Sequence, residues 1–256
     1  EFAVHAIGNC LNPHDITKTP GTSSSGSAVA VSLGMVPFSI GTQTAGSIVR
    51  PASFCGVYGC KPSFGLIPRT GMLKTTDSLD TIGFFASKYD DIETIFEIMR
   101  VHGSNYPMSH KALTDEVRQN KKTGNKWRVK FAKTHTWDFA PDYAKKEMED
   151  FIKKLSETDD IEMTDLKLPD VTEQSHEVHQ RIYDKTLSYY FQEEFKKPEF
   201  ISPVMREIFD RGNKITVEQY HQSLKDQEII SGEVENYFES TDIIISLSTA
   251  GEAPLR

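Results

Sequence analysis

The fold is decided by the stretch GTQTAGSIVRPA at residues 41–52, where small residues follow an apolar run and precede a proline. A serine that follows small residues on a tight turn after a buried strand exposes its hydroxyl and aims consecutive backbone N–H groups at one point. An oxyanion requires this geometry, so Ser47 is a candidate nucleophile. By itself, the turn leaves open the alternative that Ser47 only caps a helix.

A second turn rich in small residues lies upstream, with the sequence GTSSSGS at residues 21–27. It fits a flexible loop with a helix N-cap, a phosphate cradle at a helix N-terminus, or a set of hydroxyls held for nucleophilic chemistry. The spacing and the lysine of a P-loop are both absent, which argues against the phosphate cradle. The neighbouring turn at residues 41–52 favours the third interpretation.

The segment between the two turns predicts an α/β core. Residues 26–34 are small or apolar over the length of a helix, and Gly34 is placed to end it. Residues 35–42 predict a short strand without polar alternation, which is typical of a strand covered on both faces. Pro51 is a plausible start for the next helix, so the elements alternate as in an α/β protein.

Charged residues divide the chain unevenly. Residues 1–100 hold 7 Lys+Arg and 8 Asp+Glu, whereas residues 101–240 hold 21 and 27. The first part is therefore expected to be buried and the second to have a solvated exterior. In the second part, periodicity predicts an amphipathic helix behind Pro141, a helix or kinked pair over residues 217–238, and strands at residues 127–131, 161–168 and 243–247.

Composition argues against several classes of function. The formal net charge is −8, and no basic tract exceeds a lysine pair, so nucleic-acid binding is not expected. No segment approaches the roughly 20 apolar residues of a membrane-spanning helix. Three cysteines are too few, and odd in number, for a disulfide scaffold. We expect a soluble, cytoplasmic protein without a nucleic-acid or membrane partner.

Several segments together resemble the amidase signature family. They are the two turns, the 47 − 23 = 24 residues that separate Ser23 from Ser47, and the sequences CGVYGCKPSFG at residues 55–65 and SLDTIG at residues 78–83. The resemblance implies an α/β fold, an α/β/α sandwich around a large mixed sheet. It also implies one amidase domain over residues 1–256, with its signature core at residues 1–100.

The resemblance implies a Ser-cisSer-Lys triad. Ser47 would be the acylating nucleophile, and Ser23, joined to Thr22 by a cis peptide bond, would pass its proton to a deprotonated lysine. The acyl-enzyme is then hydrolysed by water, without metal or cofactor. The oxyanion hole would be built from the backbone N–H groups of Thr44, Ala45, Gly46 and Ser47.

The chain departs from the family pattern at several positions, none of which removes a hydroxyl that the mechanism needs. Gln43 stands where many members have Asp, and Val49-Arg50 reverses a more usual order. Both forms resemble one branch of bacterial amidases more than the corresponding component of the glutamyl-tRNA amidotransferase. Further departures are Thr22, Ser25 and Ala45, which stand where glycines are usual.

The lysine of the triad is missing from the matching positions. In the family it lies several tens of residues upstream of the first serine turn, and this chain begins 22 residues before Ser23. We therefore expect an excerpt that lacks the lysine and is also cut at its C-terminal end. Lys61 belongs to a structural Lys-Pro motif and Lys74 matches nothing catalytic, so neither is expected to be the base. Cysteine nucleophiles are not expected either.

The resulting interpretation is an amidohydrolase that cleaves a small carboxylic amide to an acid and ammonia or an amine. Two alternatives stay open. One is a glutaminase similar to the amide-hydrolysing component of the glutamyl-tRNA amidotransferase, which would need partner subunits and tRNA. The other is a catalytically inert fragment that acts as an interaction module. A homodimer is a further open alternative.

Overall fold

The computed structural model describes residues 8–102, 124–197, 199 and 201–256. Within these ranges the chain forms helices and two three-stranded sheets, one antiparallel and one parallel. The fold is therefore of the mixed α/β class that the sequence predicts. Contacts divide the chain into two units, the first drawn from residues 1–117, 181–216 and 253–256, and the second from residues 118–180 and 217–252.

The first unit contains the antiparallel sheet, in which β3 (Thr81–Ala86) lies between β1 (Phe38–Gln43) and β2 (Tyr58–Cys60). In this sheet Gln43 pairs with Thr81, so the residues that follow β1 lie beside those that precede β3. The elements are α1 (Ser25–Ser32), β1 (Phe38–Gln43), α2 (Val49–Cys55), β2 (Tyr58–Cys60), β3 (Thr81–Ala86) and α3 (Asp90–Met99).

Small residues allow these elements to pack closely around a buried cluster. A Cβ atom at Gly83 would lie 2.2 Å from the carbonyl oxygen of Cys60, which only a residue without a side chain avoids. The helix predicted over residues 26–34 is confirmed as α1, and Gly34 follows it with a φ of +68°. The cluster consists of Ala28, Val31, Ile48, Ala52, Cys55 and Phe85.

The prediction that β1 is covered on both faces is wrong. The strand begins at Phe38, and Val36, Phe38 and Ile40 are 38%, 45% and 56% exposed. The exposed residues of the strand, Phe38 and Ile40, alternate along it and so share one face, which the described elements leave largely uncovered. Pro51 lies in the first turn of α2, which begins two residues earlier.

The second unit contains the parallel sheet, in which β4 (Trp127–Ala132) lies between β5 (Ile161–Leu166) and β6 (Ile243–Ile245). Its strands and helices confirm those predicted from periodicity, and the segment at residues 217–238 is one continuous helix through Asn236. Arg128 joins β4 to β6 through a bidentate contact with Asp242 at 2.8 and 3.2 Å. The elements are β4 (Trp127–Ala132), α4 (Asp142–Ser156), β5 (Ile161–Leu166), α7 (Val217–Asn236) and β6 (Ile243–Ile245).

Two further α-helices follow β5 along the chain. Helix α5 (Ser175–Tyr190) begins among residues of the second unit and continues into the first, and α6 (Pro203–Lys214) belongs to the first. In the first unit, Arg211 of α6 contacts the buried carboxylate of Asp184 in α5 at 2.7 and 3.1 Å. Among the residues described, no helix combines the length and the apolar character needed to cross a membrane.

Candidate active site

The two turns picked out from the sequence lie side by side. The backbone N–H of Ser24 donates to the carbonyl oxygen of Ser47 at 3.4 Å. The Ser24 hydroxyl also accepts from the N–H of Thr42 at 3.2 Å and donates to its carbonyl at 3.1 Å. The first turn is thereby attached to the end of β1 and to the second turn.

The structure places the two predicted serines on these adjoining turns. The peptide bond between Thr22 and Ser23 is cis, as the resemblance implies. Ser23 is exposed and Ser47 is partly exposed. Within the described ranges, the hydroxyl groups of Ser23 and Ser47 are not hydrogen-bonded to each other, so the contact between the turns is made by the backbone.

The second turn is held in place at both ends. At its C-terminal end, the side-chain oxygen of Gln43 accepts from the N–H groups of Ile48 at 2.8 Å and Val49 at 3.0 Å. These are N–H groups at the start of α2, which have no partner within the helix. At its N-terminal end, the hydroxyl of Thr44 donates to the carboxylate of Asp80 at 2.6 Å.

The middle of the turn carries the predicted oxyanion donors. The carbonyl of Gly46 is occupied, because it accepts from the N–H of Arg50 at 2.9 Å. The N–H groups of Ala45, Gly46 and Ser47, in contrast, donate to no group in the described part of the chain. Consecutive N–H groups on a fixed turn next to a serine hydroxyl can stabilise the negative oxygen that forms when the hydroxyl attacks a carbonyl.

Asp80 has a larger part in this site than the sequence indicated. Its buried carboxylate also accepts from the hydroxyls of Thr75 and Thr76, at 2.6 and 3.1 Å, and from their N–H groups, at 2.8 and 2.9 Å. Sequence reasoning used Asp80 only as part of the resemblance and gave Gln43 no role. An acidic residue directly before a buried strand was the signal that could have drawn attention to Asp80.

Of the downstream lysines, Lys74 does not have the properties of a general base. Lys74 donates to Asp77 at 3.0 Å, and this hydrogen bond and the negative charge of Asp77 raise the pKa of Lys74 above its usual value. A raised pKa keeps the amine protonated at neutral pH, where it cannot accept a proton. Lys61 donates to the carbonyl of Pro62 at 2.9 Å.

Two of the cysteines, Cys55 and Cys60, are also unsuited to nucleophilic chemistry. Burial, together with the nearby Cys10, raises the pKa of Cys55 to about 12. Burial likewise raises the pKa of Cys60. Because the thiolate is the nucleophile, neither group is active at neutral pH. Among the described residues, no group of three or more His, Cys, Asp or Glu side chains is arranged to hold a metal ion.

Comparison with known proteins identifies one family over almost the whole chain. A model of the Amidase family matches residues 3–256. One similar curated protein is a component of the glutamyl-tRNA(Gln) amidotransferase of Treponema pallidum (strain Nichols), which is 50% identical over 92 residues. These residues make up 36% of this chain and 18% of that protein.

Solved structures extend the likeness over nearly the whole chain. A crystal structure of an amidase superposes on 97% of this chain with a TM-score of 0.83 at 26% identity. The corresponding amidotransferase component of Thermotoga maritima superposes on 96% with a TM-score of 0.75 at 25% identity. The chain spans only about half of these structures, 53% and 54% of their lengths. The α/β fold of the amidase signature structures, which the resemblance implies, is confirmed, and its described strands form two three-stranded sheets.

Proposed function

The chain belongs to the amidase family, and on that basis we propose that the protein hydrolyses a carboxylic amide through an acyl-enzyme on Ser47. The observation that carries this proposal is the turn at residues 44–47. Asp80 and Gln43 fix its two ends, and between them the N–H groups of Ala45 to Ser47 are left without partners among the described residues. The products are the acid and ammonia or an amine.

The reaction follows the route for serine acyl transfer. The Ser47 hydroxyl oxygen attacks the amide carbonyl while its proton passes to Ser23, whose own proton passes to the deprotonated lysine that the resemblance implies. The tetrahedral intermediate then collapses, the C–N bond breaks, and the leaving amine takes the proton back. Water attacks the ester carbonyl on Ser47 by the same proton route and releases the acid.

The oxyanion hole of this mechanism is formed by the N–H groups of Thr44, Ala45, Gly46 and Ser47. Hydrogen bonds to the oxyanion strengthen as charge develops on the carbonyl oxygen, so they stabilise the transition state more than the substrate. Losing one such donor in another acyl-transfer enzyme costs about 3–4 kcal/mol. The surrounding hydrogen bonds keep these donors aligned before the substrate arrives.

Intact-mass measurement after incubation of the full-length protein with a fluorophosphonate tests the nucleophile. We expect one adduct on the wild-type protein and on the control Ser87→Ala, since Ser87 is an exposed serine outside the turns. We expect no adduct on Ser47→Ala. Ser23→Ala keeps the nucleophile but loses the proton relay, so its labelling should be slower by about 10²–10⁴-fold. No adduct on the wild-type protein, or an adduct that persists in Ser47→Ala, would contradict the proposal.

The likeness to glutamyl-tRNA(Gln) amidotransferases favours a second candidate function. Its best support is the 50% identity over 92 residues to the Treponema pallidum protein. In that case the substrate amide would be glutamine and the protein would act with partner subunits. Affinity purification from the native organism distinguishes the two, because stable partner subunits and glutaminase activity would favour the second candidate. A protein active alone on small amides would favour the first.

Further properties of the whole protein complete the proposal. We place the catalytic machinery in one amidase domain that includes residues 1–256, with the signature core at residues 1–100. A cytoplasmic location fits the three cysteines, all of which are free. A small amide as substrate and a homodimer as one assembly are kept as predictions. If the protein is inert with fluorophosphonate and with amides, the role of an interaction module is favoured instead.

A further inference from the structure

Asp80 is placed beside the candidate oxyanion turn by strand register. Gln43 at the end of β1 pairs with Thr81 at the start of β3, so the next residue on one strand, Thr44, faces the preceding residue on the other, Asp80. The Thr44 hydroxyl and the Asp80 carboxylate are 2.6 Å apart. We call Thr44, Thr75, Thr76 and Asp80 the Asp80 cluster.

The contact with Thr44 differs from the other contacts of this carboxylate. Thr75 and Thr76 lie four or five residues from Asp80, and their hydroxyl and N–H groups close the local loop. Thr44 comes from 36 residues away and begins the turn that carries the oxyanion donors. A carboxylate that only stabilised its own loop would not need this contact.

The carboxylate at the centre of the cluster is screened from water. Asp80 is 1% exposed and Thr76 is fully buried. Hydrogen bonds to a charged acceptor are shorter and stronger than those between neutral groups, and the 2.6 Å contacts from Thr44 and Thr75 are of this kind. The Thr44 and Thr75 hydroxyls are also 3.0 Å from each other, which limits the rotation of the Thr44 side chain.

We propose that Asp80 is a positioning residue for the oxyanion hole, acting through the Thr44 hydroxyl. By fixing Thr44, it sets the direction in which the N–H groups of Ala45, Gly46 and Ser47 point. This inference rests on the proposed amidase function. Asp80 would stabilise the transition state, where the oxyanion exists, and would not affect the binding of the neutral substrate amide.

Steady-state kinetics of hydroxyl variants at position 44 test this role. Thr44→Val keeps the shape of the side chain but removes the donor to Asp80. We expect kcat to fall by about 10²-fold, the loss that a small misplacement of catalytic groups produces, with KM changed less than about threefold. Thr44→Ser returns the hydroxyl and should recover most of the lost kcat. Asp80→Asn replaces an acceptor oxygen by an NH2 group, which cannot accept from the surrounding threonine hydroxyls, so it should lower kcat in the same way.

Thr81→Val provides the matched control. Thr81 is also buried, and its hydroxyl donates to the carbonyl of Leu79 at 3.1 Å, outside the Asp80 cluster. We expect this variant to keep wild-type kcat. If Thr44→Val and Thr81→Val lose activity equally, or if Thr44→Val changes KM alone, the positioning role is wrong.

Fluorophosphonate labelling in the same experiment separates this inference from the function on which it rests. Phosphonylation of Ser47 forms its own negative oxygen, so Thr44→Val should be labelled more slowly than the wild-type protein. If the wild-type protein is labelled at Ser47 and Thr44→Val is labelled at the same rate, the inference fails and the function stands. A wild-type protein that is not labelled at Ser47 overturns both.

Discussion

The region of the two turns, residues 21–86, and the parallel-sheet region, residues 127–166 and 217–245, use polar residues in different ways. In the first, Gln43 and Asp80 are buried and accept hydrogen bonds from backbone and hydroxyl groups. In the second, pairs such as Lys146–Asp150 are exposed on helix surfaces, where an ion pair contributes little. A similar α/β pattern therefore supports a precise polar site in one region and an ordinary solvated surface in the other.

The glycines show the same difference. Gly83 lies in β3 where a Cβ would strike the backbone of Cys60 at 2.2 Å, whereas Gly232 lies in α7 with nothing within 4 Å of the same position. Strand packing in the region of the turns therefore requires that position 83 has no side chain. The helix of the other region has no such requirement, so equivalent substitutions should act in opposite directions.

Among substitutions at neutral pH, the largest effect on stability is expected for Gly83→Ala. Its methyl group can be accommodated only if β3 moves away from β2, and overpacking of this kind costs about 3 kcal/mol. The free energy of unfolding from urea denaturation measures the loss. A change below about 0.5 kcal/mol would show that the strands are not as tightly packed as the 2.2 Å contact indicates.

Gln43→Ala should have the next largest effect. It removes the acceptor of the Ile48 and Val49 N–H groups, and a buried donor without a partner costs about 1–3 kcal/mol. Because the same acceptor holds one end of the turn, fluorophosphonate labelling of Ser47 should also slow. Gln43→Glu retains the oxygen and is the control. Equal losses in both variants would mean that side-chain packing at position 43, and not the hydrogen bonds, stabilises the turn.

The pH dependence of stability tests burial in the region of the turns. Burial raises the pKa of Cys55 from 9.0 to about 12 in the folded protein, so the unfolded chain loses this proton first as pH rises. The contribution of the protonated Cys55 thiol to the free energy of unfolding is complete below pH 9. It is lost between pH 9 and 12, by at most about 1.4 kcal/mol per pH unit. The free energy of unfolding, measured by urea denaturation across this pH range, should decline more steeply with pH for the wild-type protein than for Cys55→Ala. Parallel declines would mean that the thiol ionises without cost in the folded state.

The smallest effect, and one of opposite sign, is expected for Gly232→Ala. Alanine is a better helix former than glycine by about 1 kcal/mol, and the exposed position has room for a methyl group. The free energy of unfolding should therefore increase by about that amount. A loss instead of a gain would show that the helix surface at Gly232 is as constrained as the strand at Gly83, which would remove the contrast between the regions.

Sequence patterns predicted the elements of the parallel-sheet region well, because periodicity reports directly on which face of a helix is buried. They also located both serine turns and, through the resemblance, the cis bond at Thr22–Ser23. The burial of β1 was predicted wrongly, since an apolar run does not reveal whether another element covers each face of the strand. The role of Asp80 was missed because its partner Thr44 is 36 residues away and is brought near only by folding. The role of Gln43 was missed because the residue was considered only as a departure from the family pattern, although its partners Ile48 and Val49 are close in sequence.

Changes in chain length should act differently on the two sides of Asp80. The Thr44–Asp80 contact is set by the antiparallel ladder between β1 and β3 and not by the length of the connection after β2. Residues added in that connection before Thr75, around the exposed Leu73, can be accommodated as a longer loop while the ladder keeps its alignment. One residue added between Asp80 and Thr81 would carry the carboxylate out of line with the turn, so the length of the chain at this junction is fixed by the contact with Thr44.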